Sequence, residues 1–159
     1  MDALGHDDAQ RLRIAVGRLA RRLRLIDSGS TAGMTPARAS ALLAVERRGP
    51  MRLTDLAVSE GVNPTMLSRM VADLTESGLM LRSCDPGDRR VAWVEVTDAG
   101  RDLALEMRSR RTAAMANALD ALDGRQRRRV VEALPALEAL VAELPDPTDR
   151  GGDALQERS

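Results

Sequence analysis

Residues 84–100, CDPGDRRVAWVEVTDAG, set Asp88, Arg89 and Arg90 on a tight turn in front of a short alternating strand. Arg is a planar, permanently charged donor that pairs in a fork with phosphates and base edges. Arginines on a projecting turn are therefore groups for reaching a polyanion, and Asp88, two residues before Arg90, suits a guanidinium-orienting role. A second set, Thr65, Ser68 and Arg69, places hydroxyls and a guanidinium near a helix start, where free backbone N–H groups favour negative charge. Other chemistries are poorly supplied. One Cys (Cys84) and one His (His6) exclude an internal disulfide and leave no thiolate and imidazole cluster for zinc, so no metal and no cofactor is expected. There is no Gly-rich phosphate loop and no nucleophile beside a base, and Asp7 and Asp8 read as charges favouring a helix N-terminus. An enzyme is not expected.

The elements that must position these side chains come from a chain of 159 residues, 43% apolar and 30% charged, with a formal net charge of zero. That length suits one domain or two small units sharing a core. No apolar run approaches the roughly 20 residues of a membrane span, and the opening MDALGHDDAQ is polar and acidic, so a soluble, cytoplasmic protein is expected. All 24 basic residues are Arg, and the net charge announces no partner; position has to. Trp93 is the one aromatic residue, so the core is aliphatic and Met-rich, and no stacking platform for single-stranded nucleic acid exists.

Leu12, Val16, Leu19, Leu23 and Ile26 recur at spacings of three and four, which predicts a helix over about 7–26 with a narrow apolar seam. Such a seam packs on another helix, from this subunit or a second one. Ser and Gly in DSGSTAG break it. Thr35 as N-cap, Pro36 at the first helical position and Gly49-Pro50 beyond the last turn bound the next helix. Two short helices follow, about 53–60 ended by Gly61 and about 64–77 capped by Asn63 and stopped by Gly78, giving the helix-turn-helix pattern. Residues 79–83 and 91–96 read as a two-stranded hairpin turned by CDPGD, which must lean on the preceding helices. Thr97 caps a long helix over about 98–122, with Leu103, Met107, Met115 and Leu119 on its buried side. Asp123-Gly124 ends it, and a last helix over about 125–144 is expected to bend at Pro135. The acidic, Pro/Gly-rich residues 145–159 read as a disordered tail.

In the second short helix, Leu67, Met70, Val71 and Leu74 must face the core, so Thr65, Met66, Ser68, Arg69, Ala72 and Asp73 face outward. Thr, Ser and Arg at that end suit a helix lying in the DNA major groove. The alternative is a solvated helix face on a protein-interaction module. The turn favours the first reading, because an Arg on a projecting ribbon can enter the adjacent, electronegative minor groove. Arg82 reads as a phosphate contact or a strand-to-helix ion pair, the pair being favoured. Cys84, beside apolar strand residues, reads as inert rather than as a redox sensor.

Residues 34 to about 105 resemble the winged helix-turn-helix core of MarR-type transcription regulators. The resemblance rests on LSRMVADL, ESGLMLR, DPGDRR and VTDAG in that order and spacing. It implies a mainly α fold with a small β-hairpin wing (α+β): residues 34–100 form the DNA-binding core, 98–122 a linking helix, and 1–28 and 123–144 the dimerisation helices. It also implies a homodimer, seamed by Leu12, Val16, Leu19, Leu23 and Ile26, on a pseudo-palindromic double-stranded operator. Asn63, Thr65, Met66, Ser68 and Arg69 then belong to the recognition helix, Asp88, Arg89 and Arg90 to the wing tip, and Arg82 matches the Arg that follows the first wing strand. Such regulators usually repress, and release DNA when a small, often aromatic, anion binds near the junction of dimer helices and reading lobe; constitutive or thiol-responsive action are the alternatives. A carboxylate effector would meet Arg18, Arg21, Arg22, Arg24 or the RQRRR run at 125–129.

Overall fold

The computed structural model describes residues 4–26, 33–88 and 90–145. The expected break at 27–32, the wing residue Arg89 and the expected tail beyond Pro145 lie outside the described residues. Ten elements follow one another: α1 (Leu4–Ile26), α2 (Pro36–Arg48), β1 (Met51–Arg52), α3 (Leu53–Glu60), α4 (Pro64–Glu76), β2 (Met80–Cys84), β3 (Ala92–Val96), α5 (Asp98–Asp120), α6 (Gly124–Glu132) and α7 (Leu134–Glu143). The architecture is mainly helical, with one small antiparallel sheet in strand order β1-β3-β2.

The caps explain the helix boundaries. Thr35 accepts from the Arg38 N–H at 3.3 Å, and Asn63 accepts from the Thr65 N–H at 2.8 Å, each with Pro just inside the helix. Gly61 ends α3 in the left-handed region at φ 62° and ψ 31°, a conformation that costs a residue with a Cβ more than it costs Gly. Leu67, Val71 and Leu74 of α4 are buried against Leu42 and Val45 of α2, Leu56 of α3 and Met80 and Val94 of the sheet. The spacing of four apolar residues on α4 thus predicted its core face correctly. On α5, Met107 is fully buried and Leu103 packs against the core, while Met115 and Leu119 are half-buried.

Two expectations need correction. The hairpin is the larger part of a three-stranded sheet, because Met51 and Arg52 pair with Val94 and Trp93. This third strand gives β3 a neighbour on both sides and covers the edge that a bare hairpin would leave open. The last helix is broken rather than bent: α6 closes at Ala133, and Pro135 sits in the first turn of α7. Proline lacks the N–H that an unbroken helix would need there.

The wing, α4 and α5 meet at one tight point. Thr97 Oγ1 donates to the Gly78 carbonyl at 2.7 Å and accepts from the Gly100 N–H at 3.0 Å, so one side chain closes α4 and opens α5. A Cβ at Gly100 would collide with the Leu79 carbonyl oxygen and stand 2.6 Å from Val96 Cγ1. The final Gly of VTDAG is there for closeness, not for an unusual backbone angle. Gly100→Ala should therefore cost about 1–3 kcal/mol by overpacking, measured by urea denaturation, and a variant as stable as the parent would contradict this close approach.

Candidate nucleic-acid interface

The start of α4 presents Asn63, Thr65, Met66 and Arg69 as exposed side chains, with Ser68 half-buried beside them. Met66 is 56% exposed on the outward side of α4. Arg69 makes no ion pair among the described residues. Asp73 behaves differently from the outward-facing residue expected. The Arg38 guanidinium of α2 donates to its carboxylate and, through its other Nη, to the Gly33 carbonyl at 2.6 Å. That interaction neutralises an acid one turn beyond Arg69 and ties α4 to the N-terminal end of α2. Arg38 escaped the sequence reading because a pair 35 residues apart leaves no local spacing to find.

At the turn between β2 and β3, Asp88 Oδ1 accepts from the Arg90 backbone N–H at 2.9 Å and from Arg90 Nε at 3.2 Å. Asp88, expected to orient an Arg guanidinium, thus bonds that of Arg90. Arg90 stays 92% exposed and meets Asp88 through Nε, so its terminal Nη groups point to solvent. Asp85, unassigned in sequence, is the better connected acid. It accepts from the Gly87 N–H at 2.8 Å, the Asp88 N–H at 3.3 Å and Trp93 Nε1 at 3.0 Å. These bonds, that from Trp93 foremost, hold its carboxyl below its ordinary pKa. The DP turn signature was a partial pointer to it, since Asp at such positions bonds its own following backbone. The Arg52 guanidinium lies 5.8 Å from the centre of the Trp93 ring, a cation–π distance.

Arg82 is exposed on β2 and makes no ion pair among the described residues, so the favoured strand-to-helix pair is replaced by an open guanidinium. Cys84 is exposed at the end of β2, opposite Ala92. Of the basic residues weighed for an anion, Arg24 joins Arg47 and Arg111 at a cavity of about 280 Å³. This cavity is lined from α1, α2, α3 and α5, with Leu23, Leu43, Ala44 and Glu60 among its other lining residues. Arg18, Arg21 and Arg22 line a separate groove with Leu25. In the 125–129 run, Arg127 pairs with Asp120 at 3.0 Å. Among the described residues no helix is long and apolar enough to cross a membrane.

The exposed helix start, the charged turn and the three-stranded sheet are joined by agreement with known proteins. Residues 34–92 match the model of the MarR family. The uncharacterized HTH-type transcriptional regulator Mb0904 of Mycobacterium bovis is 32% identical over 137 residues, covering 86% of this chain and 94% of that one. The HTH-type transcriptional repressor MdtR of Bacillus subtilis is 29% identical over 98 residues, 62% of this chain and 63% of that one. The crystallised BpsR of Bordetella bronchiseptica, whose DNA binding is regulated by 6-hydroxynicotinic acid, superposes with a TM-score of 0.58. It is 22% identical, with 80% of this chain and 98% of that one covered. The chain belongs to the MarR family of DNA-binding transcriptional regulators and is not an enzyme.

Proposed function

We propose that the protein is a homodimeric repressor that binds a pseudo-palindromic double-stranded operator and releases it when a small anion binds. The observation that carries the DNA-reading part is Arg90, open to solvent yet steered by Asp88, on the same sheet that packs against α4. Arg90 then enters the minor groove while α4 lies in the major groove. Arg69 and Ser68 read base edges or phosphates, Thr65 adds a hydroxyl, and Asn63 holds the helix start that faces the backbone. Met66 offers only an apolar contact, such as to a thymine methyl. Arg82 serves as a phosphate contact, and Arg89, by its place in the sequence, adds charge to the tip.

In this reading residues 34–100 are the DNA-binding core, 98–122 the linking helix, and 1–28 and 123–144 the dimerisation helices. Support comes from uncovered apolar surface. Leu12, Val16 and Leu19 of the α1 seam are exposed, with Leu23 and Ile26 half-covered, and Val131, Leu134, Leu140 and Val141 are exposed on α6 and α7. Neither α6 nor α7 buries a residue within the chain. Apolar surface on this scale marks a protein interface.

The effector site proposed is the cavity lined from α1, α2, α3 and α5, where Arg24 of α1 and Arg47 of α2 lie beside Leu23, Leu43 and Ala44 with no aromatic ring among the lining residues. Guanidiniums beside aliphatic side chains suit a compact carboxylate. The regulation of BpsR by an organic acid supports ligand response, and the repressor MdtR supports the direction of control.

Arg90→Ala and Arg69→Ala should each weaken binding to a selected operator by about 1–3 kcal/mol at fixed salt, read by fluorescence anisotropy. Parent-like affinity in either variant would remove that residue from the interface. Leu19→Asp should yield monomer or unfolded chain by light scattering and circular dichroism, and a folded monomer that holds a two-half-site operator would sink the dimer. Small carboxylates, 6-hydroxynicotinate included, should release the operator from the parent and not from Arg24→Ala; equal release from both would place the effector elsewhere.

A further inference from the structure

Asp85 has no part in the proposed DNA contacts, yet it gathers more of the wing than any residue that does. Its carboxylate accepts three N–H groups at once: the Gly87 and Asp88 backbone amides on Oδ1 and the Trp93 indole on Oδ2. Trp93 lies on β3, opposite Ser83 of β2 and Arg52 of β1. The tip is thereby tied to all three strands. The backbone adds two closures, from the Asp85 N–H to the Val91 carbonyl and from the Val91 N–H to the Asp88 carbonyl, both 2.9 Å. Asp88, held by its own amide to Asp85, then receives Arg90 on its carboxylate.

We infer that Asp85 is the positioning residue of the wing, acting on DNA through the placement of Asp88 and Arg90 rather than by touching it. This inference rests on the proposed reading of Arg90 as a groove contact. Its physical content is preorganisation: a tip already fixed to the sheet loses less conformational freedom when it enters a groove. The side chain must be a carboxylate because three donors converge on it. Asn offers one acceptor oxygen and turns its NH₂ toward either the turn amides or the indole N–H, so part of the set is lost. Charge argues in the opposite direction, which makes the test sharp. Removing a negative charge beside DNA should strengthen binding by simple electrostatics, whereas loss of positioning should weaken it.

The test is a double-variant cycle in the full chain, with affinity for a selected operator read by anisotropy at one salt concentration. Arg90→Ala should weaken binding about tenfold or more. Asp85→Asn should weaken it about fivefold despite the lost charge, and the double variant should bind no worse than Arg90→Ala alone, as residues acting through one contact are non-additive. Trp93→Phe, which keeps the ring and removes the N–H, should follow the same pattern to a smaller degree, and serves if Asp85→Asn fails to fold. Trp93, the chain's one Trp, supplies a signature that a general loss of stability would not move. Its emission in folded Asp85→Asn should differ from the parent, and in the parent should stay constant near neutral pH. The Asp85 carboxyl is depressed, so its stabilising bonds are complete above the ordinary carboxylate value of roughly 4 and are lost as pH falls below it. If Arg90→Ala binds like the parent, the groove-contact reading fails and this inference with it. If Arg90→Ala weakens binding but Asp85→Asn and Trp93→Phe do not, or their losses add to that of Arg90→Ala, the positioning role alone is overturned.

Discussion

The molecule turns on the place where the ends of three elements share one side chain. Thr97 joins the Gly78 carbonyl, at the close of α4, to the Gly100 amide, at the start of α5, while its own N–H donates to the Leu79 carbonyl at 3.1 Å. Leu79 leads into β2, and Val96, at the end of β3, presses its Cγ1 against Gly100. The orientation of α4, the departure of the wing and the direction of α5 are therefore one geometric fact. A close-packed junction of this type transmits displacement because it has no slack to absorb it. The start of α5 thus touches both the C-terminal end of α4 and the strands of the wing.

Charge is organised on the same principle, by location rather than by total. Twenty-four basic and 24 acidic residues cancel over the chain, yet they are not interchangeable. Asp73 is occupied by Arg38, and Glu46 by Arg108, pairs that join α2 to α4 and to α5. Partly exposed pairs of this kind add modest stability, about 1 kcal/mol each. Their larger effect is to decide which guanidiniums remain open. Arg69 and Arg82 are exposed and make no ion pair among the described residues, and Arg90 is engaged only through Nε. A chain of zero net charge thus keeps the Arg69, Arg82 and Arg90 side chains exposed on α4 and on the β2–β3 hairpin.

The helices and the apolar face of α4 were legible in sequence because their signals are local. Caps at Thr35, Asn63 and Thr97 bond to amides two or three residues ahead, and the spacing of Leu67, Met70, Val71 and Leu74 sits within one helix. The Asp88 to Arg90 bond was legible for the same reason, spanning two residues. What escaped depends on distant partners. β1 is a two-residue strand with no alternation of its own, formed only because Val94 and Trp93 are beside it. Asp85 needs Trp93 eight residues away, and Asp73 needs Arg38 on another helix. The break at Ala133 was half legible: Pro135 forbids continuity, but whether a helix kinks or ends there is decided by how its flanks pack.

The central claim is that this neutral, Arg-rich chain reads a particular DNA sequence. The most direct measurement is selection of binding sites by the purified protein from a genomic fragment library, followed by titration of the enriched duplex and a scrambled one across salt concentrations. Enrichment of a pseudo-palindromic site is predicted, bound in preference to the scrambled duplex, with log affinity falling against log salt by about 0.9 for each phosphate neutralised. Recovery of no fragment above background, with weak and equal binding to both duplexes, would contradict it.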